Sequence, residues 1–492
     1  MVQAFDDLMR FQRDTEALAQ VAGRLGWDQE TMMPRGAADQ RSDESAAMES
    51  TLHQRRTDPR IAEWLSALDM GALDEVSQAQ VGLIRRDFDR AAKIPADLAT
   101  AIARTVSRGH VIWAEARADD DFASFAPILR EILDLRQQEA AALAAGGDPY
   151  DALLDKYEPG AKAARLDEMF GALRPRLVAL REAVLGQPEL PGLTQSFDEQ
   201  GQMKLARLLA KTFGYDFKRG RVDKAVHPFS SGSGDDVRIT TRTVPLDPFN
   251  CLYSTVHEVG HATYEQNVDP VYRLTPIGQG ASMGVHESQS RIYENQLGRS
   301  RAFTGWLYGQ MRDTFGDFGI ADEDTFYGAV NRVKNGYIRT EADELQYNLH
   351  VLLRFDLERA LVSGDLPVAD LESAWNDRFE ADFGFGVDKA SNGVLQDVHW
   401  SAGLFGYFPT YSLGNVYAGC LYKALRSAVP QLDDQLAKGD ATQAVGWLRD
   451  SLQQHGSLRA PRELITQAAG EAPTEEPLLA YLEEKFSALY SL

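Results

Sequence analysis

Cysteine is almost missing from this chain. Cys251 and Cys420 are the only two in 492 residues and neither has zinc-finger spacing, so a disulfide framework is excluded and a reducing compartment is expected. Long apolar runs are also absent: no stretch approaches the ~18 residues that a membrane span needs. The first residues, MVQAFDDLMRFQRD, carry acids where a secretory leader would carry an apolar core. Positive charge is in deficit, with 51 Lys and Arg against 73 Asp and Glu and a net charge of -22 at pH 7. That balance disfavours nucleic acid and anionic membranes as partners. No Ser/Gly-rich linker, low-complexity tract or internal repeat divides the chain. The expectation is a cytoplasmic protein.

What is present is enough apolar material for a large core, 44% hydrophobic and 9% aromatic residues, arranged mostly at helical spacing. Apolar positions predict helices over 3–25 (ending at Gly26), 37–55, 61–68, 76–92, 98–116, 125–145, 164–185 and 197–213. Trp27 falls in an expected turn and reads as a packing residue. The pattern changes near residue 220. Residues 236–244, DVRITTRTV, form the best strand in the sequence, and a strand in this place can pair with an extended peptide. Further helices are expected over 282–297, 303–315, 325–336 and 341–361, then a glycine- and aromatic-rich loop over 393–417 and amphipathic helices to about 490. The fold class is mainly α: one large multi-helix domain over 1–492 with a small β-sheet. Its helical N-terminal half covers about 1–219, a catalytic core about 220–420 and C-terminal helices about 421–492.

The densest chemical signal is His257-Glu258-Val259-Gly260-His261. On a helix, positions i and i+4 lie nearly one above the other, so both imidazoles can reach one ion. Glu258 projects about 100° away, free of the ion yet close enough to take a proton from the water that the ion activates. Asp247 and Pro248 supply an N-cap and a first helical residue, and Asp269-Pro270 closes the segment. A catalytic site needs a third protein ligand and an open position. Glu287, 26 residues after His261 on the next expected helix, is the preferred candidate and its neighbour His286 the rival. Adjacent helical positions face different ways, so only one of them points at the ion.

These pieces and others resemble the thermostable carboxypeptidase family of metallopeptidases. The matching motifs are His227-Pro228-Phe229, Asp236-x-Arg238-x-Thr240, HEVGH, His286-Glu287-Ser288-Gln289, Ile338-Arg339-x-x-Ala342-Asp343 and Gly393-x-x-Gln396-Asp397-x-His399-Trp400. LGWDQETMMP at 25–34 and YDALLDKYEPG at 150–160 extend the likeness over essentially the whole chain. The resemblance implies that His257, His261 and Glu287 hold the metal with Glu258 as general base. It implies a nearly all-helical fold with a small sheet beside a long active-site groove, and commonly a homodimer. The implied activity is release of single C-terminal amino acids from peptides, with broad specificity that excludes proline.

The ion is expected to be Zn2+, with Co2+ or Mn2+ as possible substitutes. His399 and Tyr411 are the candidate transition-state contacts, with Tyr407 in the same loop. A free terminal carboxylate calls for a forked guanidinium. Arg339 is the first candidate, and Arg238 and Gln396 are next. Arg339 has an alternative partner in Asp343, and Arg238 in Asp236. His227 and Asp397 read as residues that shape the site or orient others. An endopeptidase would instead cut peptides blocked at the C-terminus, and a zinc-holding scaffold would be indifferent to loss of Glu258.

Overall fold

The computed structural model describes residues 2–492, and in it helices carry nearly all the regular structure. The one sheet has three short strands: β1 (Val222–Lys224), β2 (Ser230–Ser231) and β3 (Arg238–Thr241). β3 lies in the middle, parallel to β1 and antiparallel to β2, with Ile239 opposite both Val222 and Ser230. The strand expected over 236–244 is thus real but shorter. Ahead of it, the Asp236 side chain is occupied by Arg238 and Arg24, and Pro245 follows with no backbone donor. No described helix is long and apolar enough to cross a membrane.

The chain folds into two compact units, each assembled from separated segments. The first takes the chain to Ala92, then Pro191–Val330 and Cys420–Pro473. Its N-terminal helix does not stop at Gly26 as expected but continues to Thr31. Two tertiary contacts outweigh the glycine penalty: Arg41 donates to Leu25 O and Asp28, and Trp27 is buried with Arg238 stacked 4.5 Å from its ring. Leu8, Phe11, Ile61, Leu65, Val81 and Ile84 form a core among this helix, Pro59–Ser66 and Glu75–Lys93.

Also in this unit, Asp247 caps Pro248–Asn267 through Asn250 N, as its sequence predicts. Ser282 caps Met283–Arg291 through Val285 N. Gly260 lets these two helices touch backbone to backbone: a Cβ there would lie 2.5 Å from Gln289 O and from Ser290 Cα. The second helix then widens into a π-helical segment, Ile292–Leu297, a departure often found where a helix carries function.

The second unit comprises Lys93–Leu190, Asn331–Gly419 and Thr474–Leu492. Ala96–Ala118 and Phe122–Ala144 form a helical pair, the second capped by Asp121 through Ser124 N. Around Tyr347–Ser363 the core is aromatic, with Phe379 and Phe383 stacked at 4.3 Å and Trp375 edge-on to Trp400. The helix expected from 341 begins only at Tyr347. Arg339–Glu341 forms a 3-10 turn, and the Asp343 carboxylate accepts from the backbone N of Leu345 and Gln346, starting the helix late. The stretch expected as loop to 417 is helical from Pro409, where proline suits the first turn. The helix expected over 325–336 covers Glu323–Val330 only.

Candidate metal centre

Pro248–Asn267 presents His257 and His261 on one stripe, and Met283–Arg291 brings Glu287 to the same place. Glu287 Oε2 lies 3.9 Å from His257 Nε2 and 3.7 Å from His261 Nε2. One ligand atom from each residue falls within 4.8 Å of the others, the spacing of a group that could hold an ion. Gly260 is the reason this is sterically allowed, because any side chain at that position would hold the two helices apart.

Around the triad, each side chain is fixed from behind. His257 Nδ1 is 2.9 Å from Glu294 Oε2, and His261 Nδ1 is 3.2 Å from His286 Nδ1. Glu287 Oε1 accepts from Arg291 Nε at 2.6 Å. With both Nδ1 atoms engaged, each imidazole directs Nε2 toward Glu287. Two imidazole nitrogens and one carboxylate oxygen fit a divalent transition ion, with coordination positions left for water or substrate.

Electrostatics separate the carboxylates. Burial pushes the Glu258 carboxyl up to about 7, with His257 opposing and Glu287 and Glu294 adding to the rise. Burial acts on Glu294 in the same sense, but its hydrogen bond with His257 and the charges of Arg291 and Arg299 hold it far below the usual range. So Glu294 is held as an anion, while burial holds the Glu258 carboxyl, 7% exposed, above the usual carboxylate range.

Matches to known proteins agree with this chemistry. A family model described as Carboxypeptidase Taq (M32) metallopeptidase matches residues 7–486. The chain belongs to the M32 metallocarboxypeptidase family. It is 41% identical to "Thermostable carboxypeptidase 1" of Thermus thermophilus, over 99% of both chains. Identity to "Carboxypeptidase 1" of Bacillus subtilis is 34%, over 99% of this chain and 98% of the other. Among solved structures, the M32 carboxypeptidase of Deinococcus radiodurans superposes with a TM-score of 0.97 at 38% identity, covering both chains completely. Trypanosoma cruzi metallocarboxypeptidase 1 gives 0.96 at 34%, over 99% of this chain and 100% of that one. This M32 chain is therefore a peptide hydrolase.

The other candidates of this M32 sequence occupy built surroundings. In the first unit, Arg238 forms two hydrogen bonds with Asp236, at 2.7 and 2.9 Å, over the face of Trp27. In the second, Arg339 donates from Nε and Nη2 to Asp397 Oδ1, at 3.1 and 2.8 Å, and from Nη1 to the Tyr347 hydroxyl. Its partner is Asp397, 58 positions on, rather than the nearby Asp343. Arg354 takes the other oxygen of Asp397. Gln396 accepts from Arg339 N and donates to Tyr337 O and Asn392 O. His399 Nε2 is 3.2 Å from the Tyr411 hydroxyl, and Tyr407 packs edge-on to Tyr411. Burial, with help from Arg339 and Arg354 against Asp397, lowers His399 to about 3, so its ring is neutral at ordinary pH.

Sequence reasoning missed Glu265, Arg291, Glu294 and Arg299. The signal was there for three of them. Glu265 continues the His257, His261 stripe at i+8, and Arg291 and Glu294 follow Glu287 at i+4 and i+7.

Proposed function

We propose that this chain is a zinc-dependent carboxypeptidase that releases single C-terminal residues with broad side-chain tolerance, sparing proline. The observation that carries the reading is the approach of His257, His261 and Glu287 around one point with a buried Glu258 alongside, its carboxyl pushed up to about 7. His257, His261 and Glu287 would hold the ion. A divalent ion there supplies Lewis acidity toward the scissile carbonyl and lowers the pKa of water. Zinc suits the two-histidine, one-glutamate set, which also accepts Co2+ or Mn2+.

In this reading Glu258 is the general base: it takes the proton of the attacking water and returns it to the leaving amine. A carboxyl that titrates near neutrality can do both, and Glu294, held anionic, cannot. His399 and Tyr411 are assigned as transition-state contacts, with Tyr407 supporting them. A neutral imidazole paired with a phenol offers donors that add no formal charge. For the terminal carboxylate the assignment is Arg339, with Arg238 and Gln396 as further substrate contacts. Arg339 and Arg354 share the single carboxylate of Asp397, and this surplus of one positive charge favours an added anion. A cytoplasmic homodimer completes the proposal. The buried thiols Cys251 and Cys420, which form no disulfide, support a reducing compartment, and the dimer rests on family likeness.

The deciding experiment is peptide digestion with products identified by mass, using matched peptides with free and amidated C-termini, before and after chelation. Stepwise loss of terminal residues from the free peptide alone, abolished by chelator and restored by Zn2+, is expected. Equal internal cleavage of the amidated peptide would overturn the exopeptidase assignment.

A further inference from the structure

The two histidines of the HEVGH helix are backed differently. His257 Nδ1 meets a carboxylate directly, Glu294 Oε2 at 2.9 Å. His261 Nδ1 meets a second imidazole, His286 Nδ1 at 3.2 Å, and the carboxylate stands one step further out: His286 Nε2 is 2.7 Å from Glu265 Oε1. We propose that His286, backed by Glu265, is a positioning residue that fixes the tautomer and ring orientation of His261. This rests on the metallopeptidase reading of the site.

Only one placement of protons satisfies the chain. If His261 offers an unprotonated Nε2 to an ion, its proton is on Nδ1 and must be donated to His286 Nδ1. His286 then carries its own proton on Nε2 and donates it to Glu265. The opposite tautomer of His286 would set two N–H groups against each other at 3.2 Å and turn a lone pair toward a carboxylate oxygen at 2.7 Å. Protonation of Glu265 is unnecessary, since Gly280 N donates to the same Oε1 at 2.9 Å. A carboxylate behind a ligating imidazole, directly or through a relay, raises its basicity and fixes the ring.

Three further observations show that the relay is built. A Cβ at Gly280 would lie 2.4 Å from His286 Cδ2 and 2.5 Å from its Nε2, so only glycine leaves the ring where it is. Tyr264 also packs against the ring, at 4.9 Å between ring centres, and its hydroxyl accepts from Ala281 N, tying down the segment that carries Gly280. The second oxygen of Glu265 is buried with no hydrogen-bond partner among the described residues. A purely structural carboxylate would be expected to lose that cost.

The test is the metal dissociation constant of the full-length apoprotein, measured with Zn2+ against a chromophoric chelator, for His286→Leu, His286→Asn and His286→Gln. The asparagine amide can stand near Nδ1 and accept from His261. The glutamine amide stands near Nε2 and keeps only the contact with Glu265. The expected order of affinity is wild type, then Asn, then Gln and Leu together, the last two weakened ~10- to 100-fold. The absorption spectrum of the Co2+-substituted protein should change in the same order. If any of the three fails to fold by circular dichroism, Glu265→Gln, which keeps the acceptor and removes only the charge, should weaken binding several-fold. Unchanged affinity throughout, or retention that follows side-chain size with Gln and Leu above Asn, overturns the relay. Wild type that binds no divalent ion overturns both the relay and the metallopeptidase reading beneath it, whereas failure of the variants alone leaves that reading intact.

Discussion

Glu287 divides its carboxylate between two tasks, and Arg291 decides which oxygen does which. Oε1 accepts from Arg291 Nε at 2.6 Å, while Oε2 faces the Nε2 atoms of His257 and His261. Arg291 lies one helical turn beyond Glu287, and Nη1 also reaches Glu294 Oε2 at 3.3 Å, so one guanidinium aligns the groups behind two of the three candidate ligands. Replacing it with methionine (R291M) keeps the apolar stem and removes the fork. Metal affinity should fall ~10- to 100-fold in a competition titration, and wild-type affinity would show that Arg291 is only a charge balance.

Loss of Glu258 should separate binding from turnover. In E258Q, kcat is expected to drop by at least ~100-fold, the lower end for a general base, with metal content by elemental analysis unchanged. A variant that loses its metal instead would make Glu258 part of the ion's environment.

Tyr411 should act on rate more than on substrate binding. Y411F removes the hydroxyl that meets His399 Nε2 and leaves the ring packing. A fall in kcat of ~100-fold, in the range for one lost oxyanion donor, with KM and Tm nearly constant, is expected from steady-state kinetics and thermal unfolding. An equal fall in Tm would assign the pair to packing.

Asp397 should be a stability residue with a defined pH signature. It stands between Arg339 and Arg354, both buried, so D397N leaves two guanidinium groups uncompensated and should cost about 3–5 kcal/mol in denaturant unfolding. Burial raises this carboxyl, but the two arginines hold it well below the usual range. Below about pH 4, the ordinary Asp value, the unfolded chain therefore binds a proton that the folded one does not. The contribution of Asp397 is fully present above that pH and is lost progressively as pH falls. D397N should flatten the acid limb of the stability profile.

Gly260 should tolerate no side chain. In G260A the added methyl meets Gln289 O and Ser290 Cα at 2.5 Å, so the two helices must separate. A loss of about 1–3 kcal/mol together with weakened metal binding is expected. Loss of stability with full metal affinity would mean that the helices separate somewhere other than at the triad.

Much of the molecule was legible in its residues because the information is local. Helical periodicity, the Asp247-Pro248 start and the i, i+4 histidines follow from spacing along one element. The late start of the helix at Tyr347 was misread because Asp343 caps the turn just before it, and the run of the first helix through Gly26 because distant partners override local propensity. Arg41 and Arg238 hold the helix around Trp27.

The sequence by itself determined that this chain is largely helical, that His257 and His261 share a stripe, and that a carboxylate near residue 287 stood ready to complete the set. Tertiary structure alone decided that Glu287 and not His286 faces both imidazoles, that Glu294 stands behind His257, and that Asp397 takes Arg339. The reason is geometric. Position along a helix fixes direction to within a turn, but which side chains meet depends on how closely two helices approach, and here that distance is set by the missing side chain of Gly260.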